Sequence, residues 1–139
     1  MNGSCLCKRV SYSISKNPEV MNICHCSMCR KFSGASYGIY IHALANTFKW
    51  TSGEEFISRF ESSPSEFRAF CKVCGSSLPN IGLEISAEND YVCIPAGSLD
   101  DDPGLIPAVQ IFTASKAPWH NLDDKIISFK EFEPDDFWD

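Results

Sequence analysis

Seven cysteines of this chain stand in three short clusters: Cys5-Leu6-Cys7, Cys24-His25-Cys26-Ser27-Met28-Cys29 and Cys71-Lys72-Val73-Cys74. Thiolates at such spacing suit zinc, which takes sulfur at about 2.3 Å in tetrahedral geometry and receives two sulfurs from one tight backbone turn. The Cys71–Cys74 knuckle, followed by Gly75, has the usual form. The Cys5–Cys7 pair supplies two ligands if the backbone turns between them. Two other uses of cysteine fit less well. A disulfide framework belongs to secreted chains shorter than these 139 residues. A redox Cys-x-x-Cys opens a helix in a βαβ unit, whereas Gly75-Ser76-Ser77 reads as a turn.

Seven ligands do not fill two closed tetrahedral sites; they divide as four and three. Four thiolates close a structural site, and three leave one position open, as at catalytic zinc. Cys24, Cys26 and Cys29 are the compact set of three. Cys5, Cys7, Cys71 and Cys74 are then the set of four, tying the N-terminal segment to mid-chain. Cys93 or His25 could instead complete the second set and close it.

An open three-thiolate zinc can accept a thiol and hold it as a thiolate, a soft nucleophile toward an aldehyde carbon. It can also hold water or polarise a carbonyl. Three thiolates weaken the ion's Lewis acidity, which modestly favours carrying a sulfur ligand over activating water. An anionic thiol requires a local cation, and Arg30 and Lys31 directly follow Cys29, with Arg68 and Lys116 farther along the chain. His25, flanked by two ligands, is expected to point away from their ion. Cys93, within Tyr91-Val92-Cys93-Ile94, reads as a buried thiol acting as a small hydrophobe. His42 and His120 read as structural, and Trp119 as a packing anchor.

The elements that must position these residues are mostly short strands. Alternating apolar residues predict strands over 8–15, 36–42, 55–60, 66–70, 80–85, 90–95, 108–114 and 126–132. Turn residues separate them at Ser52-Gly53, Ser63-Pro64, Glu88-Asn89-Asp90 and Asp102-Pro103-Gly104. One short helical turn is predicted over 27–32. The expected fold is mainly β, a single domain over 1–139 of small antiparallel sheets pinned by zinc, with a later C-terminal strand and an acidic tail.

These motifs, in this order, resemble the glutathione-dependent formaldehyde-activating enzyme family, which includes the centromere protein V type. The resemblance is carried by Gly3-Ser4-Cys5-Leu6-Cys7 with Val10 and Tyr12, by Cys24-His25-Cys26-Ser27-Met28-Cys29-Arg30-Lys31 with Gly34-Ala35, and by Phe70-Cys71-Lys72-Val73-Cys74-Gly75-Ser76. It continues through Ala96-Gly97-Ser98-Leu99-Asp100-Asp101, Ile111-Phe112 and Ala117-Pro118-Trp119. It implies a β-tent fold with its core over about 3–120, a structural zinc on Cys5, Cys7, Cys71 and Cys74, and a second zinc on Cys24, Cys26 and Cys29. It also implies carbon–sulfur lyase chemistry, joining formaldehyde and glutathione as S-hydroxymethylglutathione. One departure is visible: Lys8 stands where the family often has glycine after the first Cys-x-Cys.

Charge narrows the partners. The net charge is −6, the wrong sign for a nucleic-acid binder, whose phosphate contacts need a basic surface. No apolar run approaches the roughly 20 residues of a membrane helix. The opening Met1–Cys5 lacks the apolar core of a secretion signal, so a reducing, cytoplasmic setting is expected. The expected partners are a small thiol and an aldehyde, with neither nucleic acid nor membrane; nothing in the sequence sets an oligomeric state. The competing expectation is a non-catalytic module, stabilised by zinc, that binds glutathione or docks to a protein.

Overall fold

A computed structural model describes residues 1–81 and 90–138. Three small sheets and one helix build it. The first sheet joins β1 (Asn2–Ser4), β2 (Ser11–Ile14) and β5 (Phe48–Ser52), all antiparallel. The central sheet has the order β11-β10-β3-β4-β9, from β3 (Met21–Cys24), β4 (Gly38–Leu44), β9 (Tyr91–Pro95), β10 (Val109–Ile111) and β11 (Ile127–Ser128). The third sheet is antiparallel, from β6 (Ile57–Ser63), β7 (Glu66–Cys71) and β8 (Ser77–Leu78). Helix α1 (Ser27–Ser33) follows β3 and ends on Gly34, whose left-handed φ of 68° lets its N–H reach the Arg30 carbonyl.

The architecture is the mainly β arrangement of small antiparallel sheets expected, with one refinement. In the central sheet β10 runs parallel to both β3 and β11. A parallel neighbour requires a crossover rather than a tight turn, and the long excursion from α1 to β9 supplies it. The expected strand over 80–85 lies mostly outside the described residues; within them Asn80 bridges Cys93. The turn expected at 88–90 likewise falls outside them, Asp90 excepted.

Side-chain alternation gives the central sheet two different faces. Ile41 and Ala43 of β4 join Val92 and Ile94 of β9, Met21 of β3, and Tyr12 and Ile14 of β2 in the main apolar core. Burying aliphatic side chains of this kind contributes roughly 1.5–3 kcal/mol each. The intervening residues take the opposite face: Asn22 and Cys24 on β3, Tyr40 and His42 on β4, Cys93 on β9. That second face is the floor of the candidate site. A smaller core of Cys5, Val10, Ala69, Cys71 and Leu78 joins the first sheet to the third.

The C-terminal segment is docked rather than solvated. Phe129 and Phe137 pack against the cluster containing Cys24, Cys29, Tyr40, Val109 and Ile111, with their ring centroids 5.1 Å apart. Trp138 Nε1 donates to Glu133 Oε1 at 3.0 Å. Trp119, read from sequence as an anchor, is largely exposed; its neighbour Ala117 is the fully buried residue.

Candidate metal centre and its cavity

The four sulfurs of Cys5, Cys7, Cys71 and Cys74 lie within 4.8 Å of one another, although the pairs are far apart in sequence. Cys5 and Cys7 Sγ are 3.5 Å apart, and Cys7 and Cys71 Sγ 3.8 Å. A tetrahedron with ligands at about 2.3 Å has edges of about 3.8 Å, so the group has the size a zinc ion requires. All eight cysteines are free thiols. The second knuckle closes as expected: Gly75, at φ 76°, donates its N–H to the Cys71 carbonyl at 2.7 Å. The first knuckle closes through Lys8, whose N–H donates to the Cys5 carbonyl at 2.9 Å from a left-handed φ of 62°. Glycine reaches that conformation without the Cβ strain of other residues, which accounts physically for glycine being usual there.

Cys24, Cys26 and Cys29 form the second group, again with all sulfurs within 4.8 Å. Cys24 ends β3, Cys26 caps α1 with its Sγ accepting from the Cys29 N–H at 3.3 Å, and Cys29 sits in the first turn. Among the described residues neither Cys93 nor His25 joins this group. His25 is fully buried and turned away. Its Nε2 lies 3.1 Å from Gln110 Oε1, while the Gln110 amide nitrogen donates to the Asp123 carbonyl and to Ser128 Oγ. The imidazole therefore carries its proton on Nε2 and donates to Gln110. Burial holds it below its ordinary pKa, against the Gln110 bond.

The group of three borders a cavity of about 680 Å³. Its floor is the polar face of the central sheet, and its wall is the β6–β7 hairpin, which contributes Glu66, Phe67 and Arg68. Arg68 Nη1 points at Cys29 Sγ (3.6 Å) and Tyr40 Oη (3.5 Å), Nε donates to Ser62 Oγ at 3.3 Å, and the guanidinium lies 5.6 Å over the Phe32 ring. The neighbouring Cys24 thiol, then the Tyr40 hydroxyl and the Arg68 charge, push the Cys29 thiol down to about 5 against its burial; Cys24 is pushed up correspondingly. Burial and then the Cys29 charge raise Tyr40, keeping its hydroxyl protonated as a donor. Burial opposes the Arg68 charge, but the Cys29 thiolate outweighs it and holds the guanidinium above its ordinary pKa.

The other sequence candidates fall as follows. Arg30 and Lys31 border neither this cavity nor a second one of about 670 Å³ beside Cys5 and Tyr37. Lys31 is exposed, and Arg30 Nε is buried without a hydrogen-bond partner. Lys116 Nζ donates to the His120 carbonyl, and His120 stacks near His25 and Tyr37. Cys93 is half-buried rather than enclosed in the core, and it lines the cavity of the three-cysteine group. Burial raises its thiol to about 12. His42, bonded to Asn22 Oδ1 at 3.1 Å, lines the same cavity. Among the described residues no helix is long and apolar enough to cross a membrane.

The chain is 36% identical over 86 residues to a Halomonas elongata protein provisionally named a glutathione-dependent formaldehyde-activating enzyme, covering 56% of this chain and 54% of that one. It is 31% identical over 77 residues to an uncharacterized lyase of Schizosaccharomyces pombe, covering 55% and 53%. The matches thus span about half the length of these curated relatives. A Rhodobacter sphaeroides protein of known crystal structure shares the fold, with a TM-score of 0.57 at 20% identity over 77% of this chain and 92% of that one. A family model described as glutathione-dependent formaldehyde-activating enzyme matches residues 1–115, and the chain therefore belongs to the glutathione-dependent formaldehyde-activating enzyme family.

Proposed function

We propose that this protein is a zinc-dependent enzyme of carbon–sulfur lyase type that forms or cleaves the hydroxymethyl adduct of a small thiol, with glutathione and formaldehyde as the pair. The observation that carries the reading is the group of three sulfurs, Cys24, Cys26 and Cys29, bordering a cavity with no fourth protein donor in the group among the described residues. Family membership and the names of the two relatives support the same chemistry. In this reading Cys5, Cys7, Cys71 and Cys74 hold a structural zinc, and Cys24, Cys26 and Cys29 hold a second one. A reducing compartment such as the cytoplasm would keep all seven thiols available as ligands.

A zinc ion on the three sulfurs would supply a Lewis acid that stabilises an incoming thiol as its thiolate near neutral pH. The chain's own residues do the rest. Phe67, Ile111 and Phe112 give the cavity apolar walls, while its open side admits solvent. Arg68 and the Tyr40 hydroxyl place N–H and O–H donors beside Cys29, where negative charge collects. In the forward direction the thiolate sulfur bonds to the aldehyde carbon, the C=O π pair moves to oxygen, and that oxygen takes a proton from solvent. In reverse the hydroxyl loses its proton and the C–S pair returns to sulfur. Donors held in place before the reaction stabilise such developing charge without reorganising.

The test is exchange spectroscopy by NMR on glutathione and formaldehyde with the zinc-loaded protein. Interconversion faster than the uncatalysed rate is expected; an unchanged rate would refute enzymatic function. Saturable glutathione binding without turnover would instead favour the zinc-stabilised binding module.

A further inference from the structure

We propose that Arg68 sets the ligand preference of the three-cysteine centre: its guanidinium offsets the thiolate charge, so that the open position takes an anionic sulfur in place of neutral water. The inference rests on the reading above, that these sulfurs hold a metal ion. Three thiolates around a dication leave one net negative charge, and a fourth thiolate would double it. Repulsion of that size, in a half-buried site where charges are poorly screened, is eased by a fixed cation.

Arg68 is the only lysine or arginine among the described residues that line the cavity; its other charged neighbours there, Glu66 and Asp90, are carboxylates. No carboxylate pairs with it among the described residues, where the ion pair present is Lys16 with Glu19. Its charge is thus directed at sulfur. The group is also held from three sides, over Phe32, against Ser62 Oγ and against Tyr40 Oη. A guanidinium fixed in this way loses little entropy when a ligand arrives. Nε and Nη1 make these bonds, and Nη2 has no acceptor among the described residues, leaving donors for the newcomer. Arg68 and Glu66 alternate onto the same face of β7, so the hairpin presents the cation deep, beside the sulfurs, and the carboxylate about two residues farther along.

The experiment loads wild-type protein, R68K and R68Q with Co²⁺ under anaerobic conditions. Glutathione and 2-mercaptoethanol are titrated separately, and the thiolate-to-cobalt charge-transfer band is followed. A hydrogen-bonded charge of this kind corresponds to about 10–100-fold in affinity. R68Q is expected to weaken both thiols by that factor, with R68K in between and two cobalt ions retained in each variant. Equal thiol affinity in R68Q would overturn the proposal. So would a loss confined to glutathione, which would make Arg68 a carboxylate contact, or loss of the second cobalt, which would make it a brace for the cluster. Wild-type protein that binds cobalt but admits no thiol would refute the thiol reading itself, before any variant is compared.

Discussion

Replacing Gln110 by leucine tests how the loop bearing Cys24 and Cys26 is held. The side chain is 1% exposed and bonds four ways: it accepts from His25 Nε2 at 3.1 Å and donates to the Asp123 carbonyl and to Ser128 Oγ, each at 2.8 Å, and more weakly to the Ile126 carbonyl at 3.4 Å. Leucine keeps the approximate volume and removes all four bonds. Asp123 and Ser128 are exposed, so their groups find water and cost about 0.5–1 kcal/mol each. His25 cannot. It is fully buried, and its Nδ1 already lacks a partner, so the change strands the whole imidazole at about 1–3 kcal/mol. The expected loss is about 3 kcal/mol, or roughly 10 °C in Tm for a chain of this length. Urea unfolding of the metal-loaded protein measures it, and faster cobalt exchange at the three-cysteine group should accompany it. A loss under about 1 kcal/mol would refute the assignment of His25 as a residue positioned by Gln110.

Three further outcomes are expected. Tyr12 is pushed up to about 12 by burial, opposed by its bond to Ser98; the unfolded chain releases that proton near 10. Its contribution of about 2–3 kcal/mol is therefore complete below pH 10 and disappears as pH rises to 12, and Y12F should abolish that part of the alkaline slope in a Tm-against-pH series. G53A places a Cβ on the Arg9 carbonyl oxygen at a φ of 78° and should cost more than about 3 kcal/mol, whereas G104A, at φ 65° with open space around it, should cost about 1 kcal/mol; equal losses on denaturation would contradict the packing described. Thiol titration with a chromogenic disulfide should find one slow thiol, Cys93, in metal-loaded protein and eight after chelation and unfolding; several fast thiols without chelator would count against both metal groups.

The cysteine clusters were legible because metal ligation writes short spacings into sequence, and counting alone divided them into four and three. Strands with one solvated face were legible too, such as β2, β4 and β9. β3 was not: it is only four residues long, Met21–Cys24, and runs straight into the cysteine cluster, too short a stretch for its alternation to stand out. Of the cations named from the sequence, the distant Arg68 lines the cavity and the adjacent Arg30 and Lys31 do not. Arg30 and Lys31 adjoin Cys29 in sequence, but on a helix successive residues turn by about 100°, so the two cations leave the cavity that Cys29 faces. Arg68 reaches Cys29 across 39 residues through the β6–β7 hairpin, and no local pattern announces that. The acidic end read as a solvated tail whose Phe137 and Trp138 could dock, and Phe137 does pack against the cluster of Cys24, Cys29 and Tyr40.

The two sulfur groups differ in how much chain each must gather. One lies within a six-residue stretch; the other joins segments 64 residues apart. On loop-closure statistics the wider gathering costs roughly 2 kcal/mol more in chain entropy. During synthesis about 45 residues separate the emergence of Cys29 from that of Cys74, a delay of about 2–9 s at ordinary elongation rates. If both groups take metal as proposed, the three-cysteine group can meet its ion on the ribosome while the four-cysteine group must wait. A nascent chain short of metal would then fill the first group and remain unlatched at its N-terminus.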